Sequence, residues 1–286
     1  MWGEKGREDI PEQFQRTALV LGRDGLKRLR DANVTVVGLG AVGSYVVEAL
    51  ARAGIGNFRL VDFDVVQPSN INRQLFATRL TIGWRKVDAA RERVLAISPD
   101  ARVDTKDILV NERSIDDLFN DEWNTPSDYY VDAIDSLGPK VFLIAELVKR
   151  RVKFMSSMGA ALRYDAALVQ VGKLSDVSYC PLAAQIRKRL RRLNISTDDV
   201  RCVYSPEPIR DALRAGDDRL QRVEPAPPLT SENASDPPGR PRNTLGSLPT
   251  IVGLFGLRIA HEVILELSGG NLSVSTRKKS KKRPAL

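Results

Sequence analysis

Short β-branched runs alternate with stretches in which apolar residues recur every three or four positions. Residues 34–37 (Val-Thr-Val-Val) form the first run and end in Gly38. Val42, Val46, Ala49, Leu50 and Ala53 follow at helical spacing until Gly54 stops the pattern. Residues 58–61 predict a second strand ending at Asp62, and Val87, Ala90 and Val94 a helical face closed by Ser98-Pro99. Residues 102–105, 129–134 and 152–155 read as further strands, with Val141, Ile144, Ala145 and Val148 marking a helix before the last. Regular alternation of strand and helix implies a parallel sheet with right-handed crossovers and ligands at the carboxyl ends of its strands.

Past residue 160 the rhythm changes. Residues 167–174 alternate as a strand, 181–193 carry a helical stripe and 201–205 a short strand. Residues 211–243 are polar, and six of the 16 prolines fall between 225 and 241, so a disordered insert is expected there. Residues 245–267 return as apolar structure, helical after Pro249. The expected fold class is α/β, a Rossmann-type mostly parallel sheet flanked by helices, with a smaller C-terminal subdomain. Its divisions are an N-terminal arm and helix (1–30), a nucleotide-binding domain (31–160), a C-terminal part completing the sheet and substrate site (161–267) and a basic tail (268–286).

Composition narrows the chemistry. Two cysteines, Cys180 and Cys202, exclude a disulfide framework and a four-cysteine zinc site. A single histidine, His261, excludes multi-histidine metal sites and leaves a Ser-His-Asp triad without support, since it lies in an apolar helical stretch as a packed or capping residue. Arg, Lys and Asp must therefore carry the reaction. The 15-residue uncharged stretch 243–257 is shorter than the ~20 residues of an ordinary membrane span. Glu4, Lys5, Arg7, Glu8 and Asp9 interrupt any apolar run at the start, so no stable membrane insertion and a cytoplasmic location are expected, with association with mitochondria left open.

The strand-to-helix turn at 38–43 reads Gly38-Leu-Gly40-Ala41-Val-Gly43, a GxGxxG pattern. Its glycines permit a tight turn and close backbone approach, and the helix N-terminus offers N–H groups to a phosphate. Asp62, ending the next strand, is placed to accept hydrogen bonds from ribose hydroxyls. A nicotinamide enzyme would satisfy this much. Asp62-Phe-Asp64, Ser69-Asn70-Ile-Asn-Arg73-Gln74 and Lys86 point elsewhere, because two cations just after the ribose strand suit a triphosphate. A carboxylate attacking the α-phosphate builds charge on a five-coordinate phosphorus, which fixed Arg and Lys groups stabilise more than the ground state. Asp135, ending the fourth strand, suits Mg2+ bridging phosphate oxygens.

Gly38 to Gly43, Asp62-Phe-Asp64, Asn70-x-x-Arg73-Gln74, Lys86 and Asp135 together resemble the adenylation domain of the ubiquitin-activating-enzyme superfamily, which includes the bacterial sulfur-carrier activators. The resemblance implies ATP and Mg2+ as cofactors. Gly38, Gly40, Ala41, Gly43, Asp62, Asp64, Asn70 and Gln74 would hold the nucleotide, Arg73 and Lys86 the phosphates, and Asp135 the metal. Gln13-Phe-Gln-Arg16 is similar to the family's N-terminal arm, so Arg16 would act in a partner subunit's site and the protein would be a homodimer. Asp132-Ala-Ile-Asp135-Ser136 with Pro139-Lys140, Pro181-Leu-Ala-Ala184, and Cys202-Val-Tyr-Ser205-x-Glu207 resemble the tRNA threonylcarbamoyladenosine dehydratase branch over about residues 13–267. That branch adenylates a carboxylate on a modified adenosine beside the anticodon and closes it into a ring.

Charge adds a partner. The net charge is +8 with a pI near 9.6, concentrated in residues 187–192 and 277–283. Leu182, Ile186, Leu190 and Leu193 form one stripe, leaving Arg187, Lys188, Arg189, Arg191 and Arg192 on the remaining faces to meet an RNA backbone. Cys202, in a predicted strand, reads as a buried small hydrophobe, and Cys180 stands where the branch commonly has an acidic residue, which puts a capping role there in doubt. Two other readings stay open from residues alone: adenylation of a ubiquitin-like or sulfur-carrier protein's C-terminus, and a catalytically inactive nucleotide-binding scaffold.

Overall fold

The computed structural model describes residues 10–119, 126–209 and 245–270. The insert expected over 211–243 and the basic cluster at 277–283 lie outside these residues.

Helix α1 (Gln15–Asp31) leads into β1 (Asn33–Val37), α2 (Gly43–Ala53), β2 (Asn57–Val61), α3 (Lys86–Ile97) and β3 (Arg102–Lys106). Then come β4 (Tyr129–Asp132), α4 (Leu137–Lys149), β5 (Phe154–Ser157), β6 (Gln170–Lys173), α5 (Pro181–Arg192), β7 (Arg201–Tyr204) and α6 (Pro249–Ser268). Seven strands form one sheet in the order β3-β2-β1-β4-β5-β7-β6. All neighbours run parallel except β6, which pairs antiparallel to β7, so the segment past residue 160 extends the same sheet.

Period-two alternation assigns each strand residue to a face. Val34, Val36, Tyr129 and Val131 pack into a core with α1, α2, α3 and α6, whereas Val37, Val61 and Tyr130 face the opposite core with α4 and α5. Both faces being covered explains why these strands read as near-continuous apolar runs. Strand order reverses between β1 and β4, and their carboxyl ends open the crevice where such sheets bind ligands.

Three details differ from the sequence expectation. Alternation over 167–174 yields only the short β6, because the Asp165 side chain accepts the Ala167 N–H at 3.0 Å and caps a 3-10 turn in front of it. The strand expected at 152–155 is β5, two residues later, after a turn in which Arg151 takes a φ of +55°. His261 is exposed on α6 rather than packed. Among the described residues no helix is long and apolar enough to cross a membrane.

Candidate active site

The glycine turn is packed tightly at two of its three glycines. Gly38, at a φ of +92°, lies so close to the β4 turn that a Cβ would stand 2.8 Å from the Ala133 carbonyl. A Cβ at Gly43 would meet the Gly38 oxygen at 1.8 Å. Gly40 is different: the nearest atom to a Cβ there is Gln74 Nε2, at 3.7 Å. The outer glycines are therefore fixed by backbone packing, whereas a Cβ at the middle one would make only ordinary contact with the Gln74 side chain.

Asp62 is buried and holds the turn from below. Its Oδ2 accepts from Leu39 N–H at 2.7 Å and its Oδ1 from Asp64 N–H at 2.9 Å. Burial pushes its carboxyl above the usual carboxylate range, against the opposing charge of Lys86. Each oxygen keeps a further lone pair, so ribose contact remains open to it. The sequence reading missed its first task, which is to fasten the loop.

Lys86 begins α3 only 6% exposed, with Nζ 2.7 Å from Asp64 Oδ2 and 4.0 Å from Asp62 Oδ1. Its ammonium is thus turned inward. Asn70 and Gln74 are buried in the connection between β2 and α3, where Asn70 Oδ1 accepts from Gln67 N–H at 3.0 Å. Ser44, not singled out from sequence, ties this turn to α2 by accepting Leu75 N–H at 3.1 Å. Arg73 folds back on its own turn, donating to Ser69 O and Asn72 Oδ1, both at 2.8 Å. Asp135 is exposed at the opposite lip, accepting from Ser136 Oγ at 3.2 Å.

Behind Asp135 lies an ion pair whose role the sequence did not reveal. Asp132 and Lys140 are fully buried, with Nζ 2.8 Å from Oδ2. Lys140 also donates to the Ile134 carbonyl at 2.9 Å, while Asp132 accepts from Ile134 N–H at 3.1 Å and Ser156 Oγ at 2.6 Å. The sequence signal was the branch-like motif of Asp132-Ala-Ile-Asp135-Ser136 with Pro139-Lys140, which named both residues but not their pairing.

Other expected site residues lie apart. Arg16 is exposed on the first turn of α1, next to Phe14, which packs at Gly54 beyond the far end of α2 (Cδ1 3.5 Å from where a Cβ would stand). Eleven residues of α2, roughly 16 Å of helix, separate that end from Gly43. Within α5, Lys188, Arg189, Arg191 and Arg192 are exposed. Arg187 differs, donating to the Leu174 and Val177 carbonyls at 3.1 and 2.7 Å, so it fastens the helix to the preceding turn. Cys180 does cap α5, accepting Ala183 N–H at 3.4 Å. Cys202 is buried, and burial pushes its thiol up to about 12, which keeps it protonated and non-nucleophilic.

Comparison with known proteins adds to this geometry. The ThiF family model matches residues 14–282. A tRNA threonylcarbamoyladenosine dehydratase of Bacillus subtilis (strain 168) is 36% identical over 231 residues, covering 79% of this chain and 88% of that protein. The crystal structure of Escherichia coli tRNA N6-threonylcarbamoyladenosine dehydratase with AMP superposes at a TM-score of 0.74 and 29% identity, covering 90% of this chain and 94% of that one. Its complex with ATP gives 0.73 at the same identity and coverage.

Proposed function

The chain belongs to the ThiF family, and on that premise we propose that it adenylates the carboxylate of N6-threonylcarbamoyladenosine beside the anticodon of tRNA and closes the group into a ring. The observation that carries this reading is the crevice itself. Gly40 leaves room for a phosphate at the N-terminus of α2, and an inward-turned Lys86 stands on the next helix.

The chemistry needs no protein nucleophile. A substrate carboxylate oxygen attacks the α-phosphorus of ATP, the α–β phosphoanhydride bond breaks, and pyrophosphate leaves. The substrate's own nitrogen then attacks the acyl carbon, the carbon–oxygen bond to AMP breaks, and the nitrogen loses its proton. Water is removed in net terms, with its oxygen retained in AMP. Backbone N–H groups of residues 40–43 would hold the phosphates, with Asp62 keeping that loop in shape through the Leu39 N–H. Lys86 would shift from Asp64 toward developing phosphate charge, and Arg73 would swing from its exposed turn to join it.

Mg2+ fits the donor set. Magnesium commonly takes one or two carboxylates, with phosphate oxygens and water completing its shell, and Asp135 is an exposed carboxylate at the lip opposite Lys86. When bound, the ion would neutralise phosphate charge.

The placement of Arg16 supports a homodimer. It stands near the end of α2 away from its own crevice, so an Arg16 that serves a nucleotide, as the N-terminal arm's resemblance implies, would do so in a second copy. The arm that bears it also exposes Leu19 by 86% and Val20 by 72%, apolar surface suited to a partner subunit. Lys188, Arg189, Arg191 and Arg192 would meet the tRNA backbone along the flank of the molecule.

Incubation with ATP and threonylcarbamoyl-modified tRNA, followed by nucleoside mass spectrometry, tests the reading. The expected result is loss of one water from the modified nucleoside. Pyrophosphate exchange stimulated only by a small carrier protein would replace this reading with carrier activation, and no turnover with either would leave a scaffold.

A further inference from the structure

Two exposed aromatic rings beside the crevice stand on backbone that buried groups hold in place. Tyr179 is 63% exposed and Tyr164 40%. Tyr179 has a φ of +50°, a conformation that a side-chain-bearing residue keeps only where its surroundings impose it. Here Arg163, 2% exposed, donates from Nη2 to the Tyr179 carbonyl at 2.5 Å. Tyr164 N–H donates to Oε2 of buried Glu207 at 3.1 Å. One buried arginine therefore ties both tyrosines together, the first as its chain neighbour and the second through its guanidinium.

Both lie at the carboxyl edge of the sheet. The loop bearing Tyr164 follows β5, and Cys180, next to Tyr179, comes within 3.3 Å of where a Cβ would stand on Gly159 in that same loop. Leu162 N–H donates to the Gly246 carbonyl at 2.9 Å, and the neighbouring Ser247 carbonyl accepts from Asn72 Nδ2 at 3.4 Å. The tyrosine loops thus adjoin the turn that bears Arg73. Helix α5, with its four exposed cations, starts two residues after Tyr179.

We propose that Tyr179, with Tyr164 beside it, is a stacking platform for the unpaired anticodon-loop base that flanks the modified adenosine. Two facts select this occupant: the loops that bear the exposed rings adjoin the turn carrying Arg73, and a cationic helix starts two residues after Tyr179, suited to an RNA backbone. Single-stranded bases are commonly held on tyrosine faces. The proposal rests on the tRNA-dehydrating reading above.

The test uses the full chain and an anticodon stem-loop RNA carrying 2-aminopurine, whose emission falls on stacking, next to the modified adenosine. Wild-type protein should quench it, and Tyr179→Phe should retain the quench. Tyr179→Ala should lose it and raise KM for modified tRNA about tenfold, with kcat, KM for ATP and the thermal midpoint close to wild type. Unchanged quenching in Tyr179→Ala would overturn the platform, as would a KM rise shared equally by ATP. Wild-type protein that dehydrates no tRNA would overturn the underlying reading, and the platform with it.

Discussion

Lys140 Nζ lies 2.8 Å from Asp132 Oδ2, with neither side chain reaching solvent, directly behind the loop that carries Asp135. The same ammonium binds the Ile134 carbonyl, and the same carboxylate the Ile134 N–H, so the pair grips that loop from both sides. Removing one partner of a buried pair strands the other charge, at about 3–5 kcal/mol. Lys140→Met should lower the urea midpoint accordingly. Adding Asp132→Asn, which removes the orphaned charge yet keeps an acceptor for Ile134, should restore part of the loss. A double variant less stable than Lys140→Met would contradict this.

The two kinds of glycine in the nucleotide turn separate experimentally. Gly43→Ala forces a Cβ to within 1.8 Å of the Gly38 oxygen and should yield little folded protein. Gly40→Ala meets nothing nearer than 3.7 Å and should keep the wild-type thermal midpoint without ligand. Its methyl enters the phosphate space, so the upward shift in midpoint given by ATP should shrink or vanish. An undiminished ATP shift in Gly40→Ala would argue against phosphate binding at this turn.

Glu48 bridges α2 to α3 through Arg93, at 2.8 Å, and binds Arg52 at 2.7 Å. Burial raises its pKa, but hydrogen bonds and charge from Arg93 and Arg52 outweigh it and set the folded value below the ordinary 4.5. A lowered carboxylate contributes stability that is present above 4.5 and is lost as pH falls through the folded value. Urea midpoints between pH 3 and 7 should therefore fall less steeply on the acid side for Glu48→Gln than for wild type. Parallel curves would remove Glu48 from the acid response.

The centre of the sheet was legible because its faces are buried and β1, β2 and β4 announce themselves as apolar runs ended by glycine or aspartate. The nearness of the glycine turn and Asp62 was legible because both follow the carboxyl ends of neighbouring strands, and Lys86, at the start of α3, reaches the same place. Side-chain partners were not. Nothing in the order of residues says that Asp62 fastens Leu39, that Arg187 bonds two carbonyls, or that Asp132 and Lys140 meet inside the fold, because each pairing depends on how elements apart in sequence pack together. A capping role for Cys180 stood in doubt because the cysteine replaces an acidic residue common in the branch, yet the β-region backbone at that position presents its sulfur to Ala183 N–H.

Exposed and fastened arginines on α5 should behave differently toward tRNA. Removing one cation that neutralises a phosphate should reduce the slope of log affinity against log salt by about 0.7–0.9. Arg189→Ser with Arg191→Ser should flatten that slope and spare ATP affinity. Arg187→Ala should lower thermal stability instead, because the Leu174 and Val177 carbonyls lose their donor. A slope unchanged in the double variant would make this face a solvated surface only.

Activation through the α-phosphate is the central claim, and the fate of one oxygen tests it most directly. Modified tRNA whose threonylcarbamoyl carboxylate carries oxygen-18 is turned over with unlabelled ATP, and the phosphorus products are analysed by mass spectrometry. One labelled oxygen should appear in AMP and none in pyrophosphate. Label in inorganic phosphate with release of ADP, or label only in water, would contradict adenylation.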